Sequence, residues 1–171
     1  MSDRNLILIG MMGSGKTTCG QMLARALNRA FLDTDVEIEA RQGRTISEIF
    51  AAEGEAYFRE LELQLCQELS EPRSLIIACG GGLPLREACI GALRQGGTVV
   101  LLERDPGQTY DQLDTAGRPL AQQGREAFIE RFRQRRPVYR ACADLLVAGA
   151  PSPEAAVAEI LNKLEKLEEL Q

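Results

Sequence analysis

The chain has 171 residues, a formal net charge of -5 and 44% hydrophobic residues. That is enough for one domain with its own core, and too acidic for nucleic acid or an anionic membrane surface as the main partner. It contains no histidine, which removes Ser-His nucleophilic schemes, imidazole bases and His-held metals and leaves Asp, Glu, Arg, Lys and the backbone.

An apolar run at 6–9 predicts a buried strand, and Gly10-Met11-Met12-Gly13-Ser14-Gly15-Lys16-Thr17 follows it with the pattern G-x-x-x-x-G-K-[ST]. A helical pattern with Met22, Leu23, Ala26 and Leu27 on one face comes next. Strand, glycine-rich loop and helix together make a phosphate cradle. Backbone N–H groups converge on phosphate oxygens, Lys16 reaches the β- and γ-phosphates, and the Thr17 hydroxyl can ligate Mg²⁺. Cys19 opens a set of five cysteines with Cys66, Cys79, Cys89 and Cys142. Odd in number and without C-x-x-C spacing, they read as reduced, mostly buried thiols. No run approaches membrane-span length and no signal segment leads the chain, so the expected location is the cytoplasm, with no membrane contact.

The second apolar run, 30–32, leads into Asp33-Thr34-Asp35. Read as strand, the i, i+2 spacing puts both carboxylates on one side of the sheet at its carboxyl end, where open α/β sheets bind ligands. Asp33 then suits Mg²⁺ beside Thr17, and Asp35 suits an acceptor hydroxyl. In the competing reading Asp35 caps the next helix and Asp33 is solvated.

Helical patterns follow at 36–41, after the capping box Thr45-Ile46-Ser47-Glu48, and on a stripe of Phe58, Leu61, Leu65 and Leu69. Arg59 beside that stripe is a carboxylate clamp or an ion-paired surface residue. A third run, 75–79, ends in Gly80-Gly81-Gly82, which lets backbone approach a ligand closely or simply makes a flexible turn.

After a fourth run at 99–102, turn residues Gly117, Pro119 and Gly124 frame Arg118, as in a mobile lid or an ordinary surface loop. Arginines then crowd 131–140, on and just after one helix, giving an acidic protein a local positive field. The fifth run, 145–147, precedes a helix capped by Ser152 with Pro153 at its first position and a core stripe from Val157 to Leu167. Strands alternating with helices in this way imply a parallel sheet covered on both faces.

In this order, the phosphate loop, Leu32-Asp33-Thr34-Asp35, Phe58-Arg59, Gly80-Gly81-Gly82, Arg118-Pro119-Leu120 and Arg135-Arg136-Pro137-Val138-Tyr139 resemble the shikimate kinase family over nearly the whole chain. These are P-loop kinases of the nucleoside-monophosphate-kinase type. The resemblance implies a three-layer α/β/α fold on a central five-stranded parallel sheet. It also implies a single domain over 1–171, with a substrate-binding helical insertion at about 34–60 and a lid at about 112–124.

The implied reaction is ATP plus shikimate giving ADP and 3-phosphoshikimate, with Mg²⁺ as cofactor, in a monomer. Gly13, Ser14, Gly15, Lys16, Thr17, Thr18 and Arg118 would bind the nucleotide, with Lys16 and Arg118 on the transferred phosphoryl group. Thr17 and Asp33 would hold Mg²⁺. Asp35 would bind ring hydroxyls near the acceptor oxygen, Arg59 and Arg135 would clamp the substrate carboxylate, and Gly80, Gly81 and Gly82 would line the pocket. Arg135 is preferred to Arg136 because it stands two residues before Pro137. The chain departs from the family's pattern at Tyr110-Asp111-Gln112-Leu113-Asp114, which lacks an adenine-packing arginine, and in the 147–151 loop, which lacks the usual polar residues. A gluconate-type sugar-acid kinase and a non-catalytic ligand-binding relative are the alternatives.

Overall fold

Five strands pair in parallel in the order β2-β3-β1-β4-β5: β1 Asn5–Ile9, β2 Phe31–Asp33, β3 Ile76–Ala78, β4 Gly97–Glu103 and β5 Leu145–Ala148. The computed structural model describes residues 3–71, 73–114, 116 and 121–170; Arg118, the arginine of the expected lid, lies outside them. Eight helices appear among the described residues: α1 Lys16–Leu27, α2 Thr34–Gln42, α3 Ile46–Glu53, α4 Glu55–Glu68, α5 Glu87–Gly96, α6 Pro106–Gln112, α7 Arg125–Cys142 and α8 Pro153–Glu169. None of the described helices is long and apolar enough to cross a membrane.

The pleat of β1 sorts the core into two layers. Leu6 and Leu8 pack with Leu23 of α1 and with Val157 and Ile160 of α8. Ile7 and Ile9 face the other way, into a larger cluster with Ile49, Phe58, Leu65, Leu93, Phe128 and Tyr139. Successive strand residues point to opposite faces, so a central strand buried on both sides reads as one continuous apolar run. The three-layer α/β/α expectation is met.

The expected end signals act as such. Thr45 and Glu48 form a reciprocal capping box, and the Ser152 hydroxyl accepts the Ala155 N–H ahead of Pro153. Two details differ from expectation. The strand β2 ends at Asp33, whose carboxylate accepts the N–H groups of Asp35 and Val36, so the helix starts at Thr34 and Asp35 lies in its first turn. Asp33 is therefore the cap and Asp35 is not, and the pair is not a two-residue strand repeat. The helix α7 also runs through Pro137 to Cys142, so the arginine cluster lies on one helix. The residues after Pro137 are tied down by side-chain contacts described below.

The parallel order brings the carboxyl ends of β1, β2, β3 and β4 to one edge. The phosphate loop follows β1, Asp33 and Asp35 follow β2, the three glycines follow β3, and Glu103 ends β4. The strand order reverses at β1, between β3 and β4, which makes the switch-point crevice where ligands bind in open α/β sheets.

Candidate active site

The donor half of the site is built from loop backbone. Gly13 and Gly15 have φ of 77 and 95, left-handed values that favour glycine, and Gly15 is the N-cap of α1. The first N–H groups of α1 lack partners within the helix and so make an anion site with the helix dipole. The Lys16 ammonium donates to the carbonyl oxygens of Gly10 at 2.7 Å and Met11 at 2.9 Å, which holds it across the loop. Ser14 is buried within the same loop.

Thr17 Oγ1 lies 3.4 Å from Asp33 Oδ2, while Asp33 Oδ1 is engaged in capping α2. The second carboxylate oxygen and the hydroxyl thus present oxygen ligands side by side, with Lys16 the residue before Thr17. Hard oxygens from one or two side chains, completed by phosphate and water, are the donor set that Mg²⁺ takes. These residues fit that ion.

The acceptor half is organised by the glycine turn, whose three residues each face a different functional side chain. A Cβ built on Gly80 would lie 2.5 Å from Asp35 Oδ1. One on Gly81 would be 3.8 Å from Arg135 Nη1, and one on Gly82 would be 3.0 Å from Arg59 Nη2. The turn is anchored as well: Gly80 N–H donates to the buried Thr34 hydroxyl at 3.0 Å, and the Tyr139 hydroxyl donates to the Gly81 carbonyl. Gly80→Ala is expected to push Asp35 out of place and lower kcat/KM for the acceptor by about 10²-fold, the scale of a 1 Å misplacement of a reacting group. Steady-state kinetics check this, and a near-native value would mean that the contact is dispensable.

Burial pushes the Asp35 carboxyl up to about 6, with Asp33 and Glu62 adding to the rise and Lys16 opposing it. A carboxylate that is ionised at neutral pH yet proton-hungry suits a general base. Lys16 being close enough to act on Asp35 also ties the acceptor half to the donor half.

Arg59 projects from α4 and is held by Glu62 at 2.9 Å and by Glu55 at 3.4 Å. Glu62 is only 1% exposed. Burial pushes its carboxyl up against the opposing charges of Arg59 and Arg86. For Arg59, burial works to lower the pKa, but the Glu62 hydrogen bond and charge, then Glu55, outweigh it and keep it raised. Arg86 reaches back from the turn before α5 to the Arg59 carbonyl. The guanidinium is thus fixed rather than swinging on its stem.

On α7, Arg135 and its neighbour separate cleanly. Arg136 pairs with Glu103 at 3.1 Å, and Arg140 grips the same carboxylate at 2.7 Å. Arg135 turns instead toward Gly81 and Tyr139: burial raises the Tyr139 phenol, while the charge and hydrogen bond of Arg135 work the other way. The structure therefore brings together Lys16, Thr17, Asp33, Asp35, Arg59, the three glycines and Arg135. Sequence reasoning passed over Thr34, Glu62, Arg86 and Glu103, and gave Tyr139 no role. A signal existed for Glu62 alone, an acidic residue seven before Leu69 and four after Phe58, on the buried stripe of α4.

A glycine-rich phosphate loop at the switch point of a parallel sheet, with a buried carboxylate and fixed arginines facing it, defines a P-loop phosphotransferase of nucleoside-monophosphate-kinase type. The family model for shikimate kinase matches residues 12–165. The shikimate kinase of Chromohalobacter salexigens is 43% identical over 166 residues, covering 95% of this chain and 92% of that one. That of Aquifex aeolicus is 39% identical over 162 residues, covering 94% and 95%. Among solved structures, shikimate kinase from Acinetobacter baumannii in complex with shikimate superposes with a TM-score of 0.87 at 34% identity, covering 98% of this chain and 96% of that chain. A gluconokinase from Sinorhizobium meliloti reaches a TM-score of 0.60 at 14% identity, a likeness of fold alone. The chain belongs to the shikimate kinase family.

Proposed function

We propose that the two halves of this site transfer the γ-phosphoryl group of ATP to the 3-hydroxyl of shikimate, giving ADP and 3-phosphoshikimate, with Asp35 as the proton acceptor. The observation that most supports this assignment is the glycine turn, whose consecutive residues sit against Asp35, Arg135 and Arg59. A small polyol acid needs this combination: cations for its carboxylate and a carboxylate for its hydroxyls.

Arg59 and Arg135 hold the substrate carboxylate by charge-assisted hydrogen bonds, which fixes the ring with the 3-hydroxyl toward Asp35. As the hydroxyl oxygen attacks the γ-phosphorus, its proton passes to Asp35. The bond from that phosphorus to the β,γ-bridging oxygen breaks, and the electron pair leaves with ADP. Lys16 exchanges its carbonyl partners for phosphate oxygens, where its charge counts for more. Arg118, the second cation of this reading, lies outside the described residues. Thr17 Oγ1 and Asp33 Oδ2 are the oxygens that would hold Mg²⁺, which would supply neutralisation of the phosphate charge. We read the protein as cytoplasmic and, since one chain supplies every residue named, as a monomer.

Arg59→Ala is expected to raise the shikimate KM by about 10–100-fold, the loss of a hydrogen bond to a charged group, and to leave the ATP KM near its original value. The same change strips Glu62 of its partner, so the folded fraction is measured alongside by circular dichroism. An unchanged shikimate KM in folded protein would remove Arg59 from the clamp.

A further inference from the structure

Arg104 takes no part in the reading above, yet it touches the phosphate loop. It leaves the sheet directly after Glu103, on the β4 side of β1 and so across the loop from Asp35 and Arg59. Its Nη1 donates to the Gly13 carbonyl at 3.3 Å and its Nη2 to Gln112 Oε1 at 2.9 Å. Gln112 is the last residue of α6.

The peptide between Gly13 and Ser14 is consequently held from both edges. On its other edge the Ser14 N–H donates to the Met11 carbonyl at 3.1 Å. The C=O and N–H of a trans peptide point in opposite directions, so Met11 grips the inner edge and Arg104 the outer. Packing acts on the same residue: a Cβ on Gly13 would lie 2.8 Å from Thr109 Cγ2 and 2.9 Å from Leu113 Cδ1. Gly13, at φ 77, is therefore wedged between α6 and the loop and clamped by one guanidinium.

The charge of Arg104 reaches further along the loop. Burial pushes the Cys19 thiol up and Glu154 adds to this, while Arg104 opposes both. Cys19 lies in the first turns of α1, whose N–H groups follow the clamped peptide in sequence.

We infer that Arg104 is a positioning residue for the nucleotide: by fixing the Gly13–Ser14 peptide it sets the direction of the loop N–H groups that follow, so nucleotide affinity depends on it and shikimate affinity does not. The inference rests on the reading that this loop takes the phosphates of ATP. It also explains how the loop keeps its shape when Lys16 moves. Met11 O accepts from both Lys16 and Ser14, and transfer of Lys16 to a phosphate leaves the peptide held by Ser14 N–H and Arg104.

The test is calorimetric titration of Mg-ADP into wild type, Arg104→Ala, Arg104→Lys and Gln112→Ala, with KM values for both substrates. Arg104→Ala is expected to weaken ADP binding and raise the ATP KM by about tenfold, the loss of one charge-assisted contact, with the shikimate KM unchanged. A lysine cannot span both acceptors as the planar guanidinium does, so Arg104→Lys recovers only part of the loss. Gln112→Ala shifts ADP affinity in the same direction by less. Where Arg104→Ala does not fold, Arg104→Gln, which keeps the stem, takes its place. An ADP affinity within about twofold of wild type in the folded variant overturns the inference, as does an equal rise in both KM values, which marks a general structural role. Absence of shikimate-dependent turnover in wild type would defeat the proposed function, whereas the ADP titration judges Arg104 separately.

Discussion

Asp35→Asn is expected to lower kcat by about 10²–10⁴-fold, the usual contribution of a positioned general base, and at the same time to stabilise the folded protein at neutral pH. Both effects have one origin. Burial, with Asp33 and Glu62 nearby, lifts the carboxyl from 3.8 to about 6, so its ionised form is disfavoured in the fold. As proton acceptor in the proposed reaction the carboxylate must be unprotonated, so kcat/KM for shikimate is expected to fall as pH drops through about 6. For stability the sign is the reverse. A raised acid pKa means that the folded state binds the proton more tightly than the unfolded one, so stability rises as pH falls from above 6 toward 4.

Asn removes this cost, and at 1.36 kcal/mol per unit the gain at pH 7 is at most about 3 kcal/mol. Urea unfolding of wild type and Asp35→Asn between pH 4 and 8 reads it directly. The difference should be largest above pH 6 and shrink toward pH 4. A variant that is inactive and less stable at every pH would place Asp35 in the scaffold instead of the chemistry.

The second large effect is expected at Lys16. Lys16→Ala should lower kcat by about 10²–10³-fold, the range seen when one preorganised donor to a developing charge is removed. A further consequence separates this loss from simple unfolding. Lys16 holds the Asp35 carboxyl down against burial, so without it the acid limb of the residual activity moves above its wild-type position. Lys16 also braces the Gly10 and Met11 carbonyls, and a melting curve on the same sample measures what that brace contributes. Loss of activity without any displacement of the pH profile would mean that Lys16 and Asp35 do not share one site.

The phosphate loop was legible in sequence because its function is local: three closely spaced glycines, one lysine and one threonine between a strand and a helix. The inner strands were legible because a doubly buried parallel strand is apolar at every position, as 6–9 and 99–102 are, while the partly buried edge strands β2 and β5 showed only as short apolar runs. What spacing could not show was where β2 gives way to α2. A period of two puts Asp33 and Asp35 on one face only if the strand continues to Asp35, and the Asp33 cap ends it two residues too soon.

Glu62 illustrates a different limit. Its place on the buried stripe of α4 is visible in sequence, but the charges that accompany its burial are not: Arg59 from its own helix and Arg86 from a distant turn. The choice between Arg135 and Arg136 likewise depends on the rotation of α7, which Glu103 and Gly81 fix through Arg136, Arg140 and Tyr139. The expectation that part of the arginine cluster lies just after that helix fails for the same reason, since tertiary anchors on both sides of Pro137 carry the helix onward. Long-range contacts of this kind complete the acceptor half of the site, whereas the donor half is a feature of eight consecutive residues.

The most direct measurement is ADP release from Mg-ATP by purified protein, followed with shikimate and, in parallel, with gluconate. Shikimate should stimulate ADP formation and emerge phosphorylated at the 3-hydroxyl, while gluconate leaves the background rate unchanged. Preferential turnover of gluconate, or tight shikimate binding without ADP release, would contradict the account.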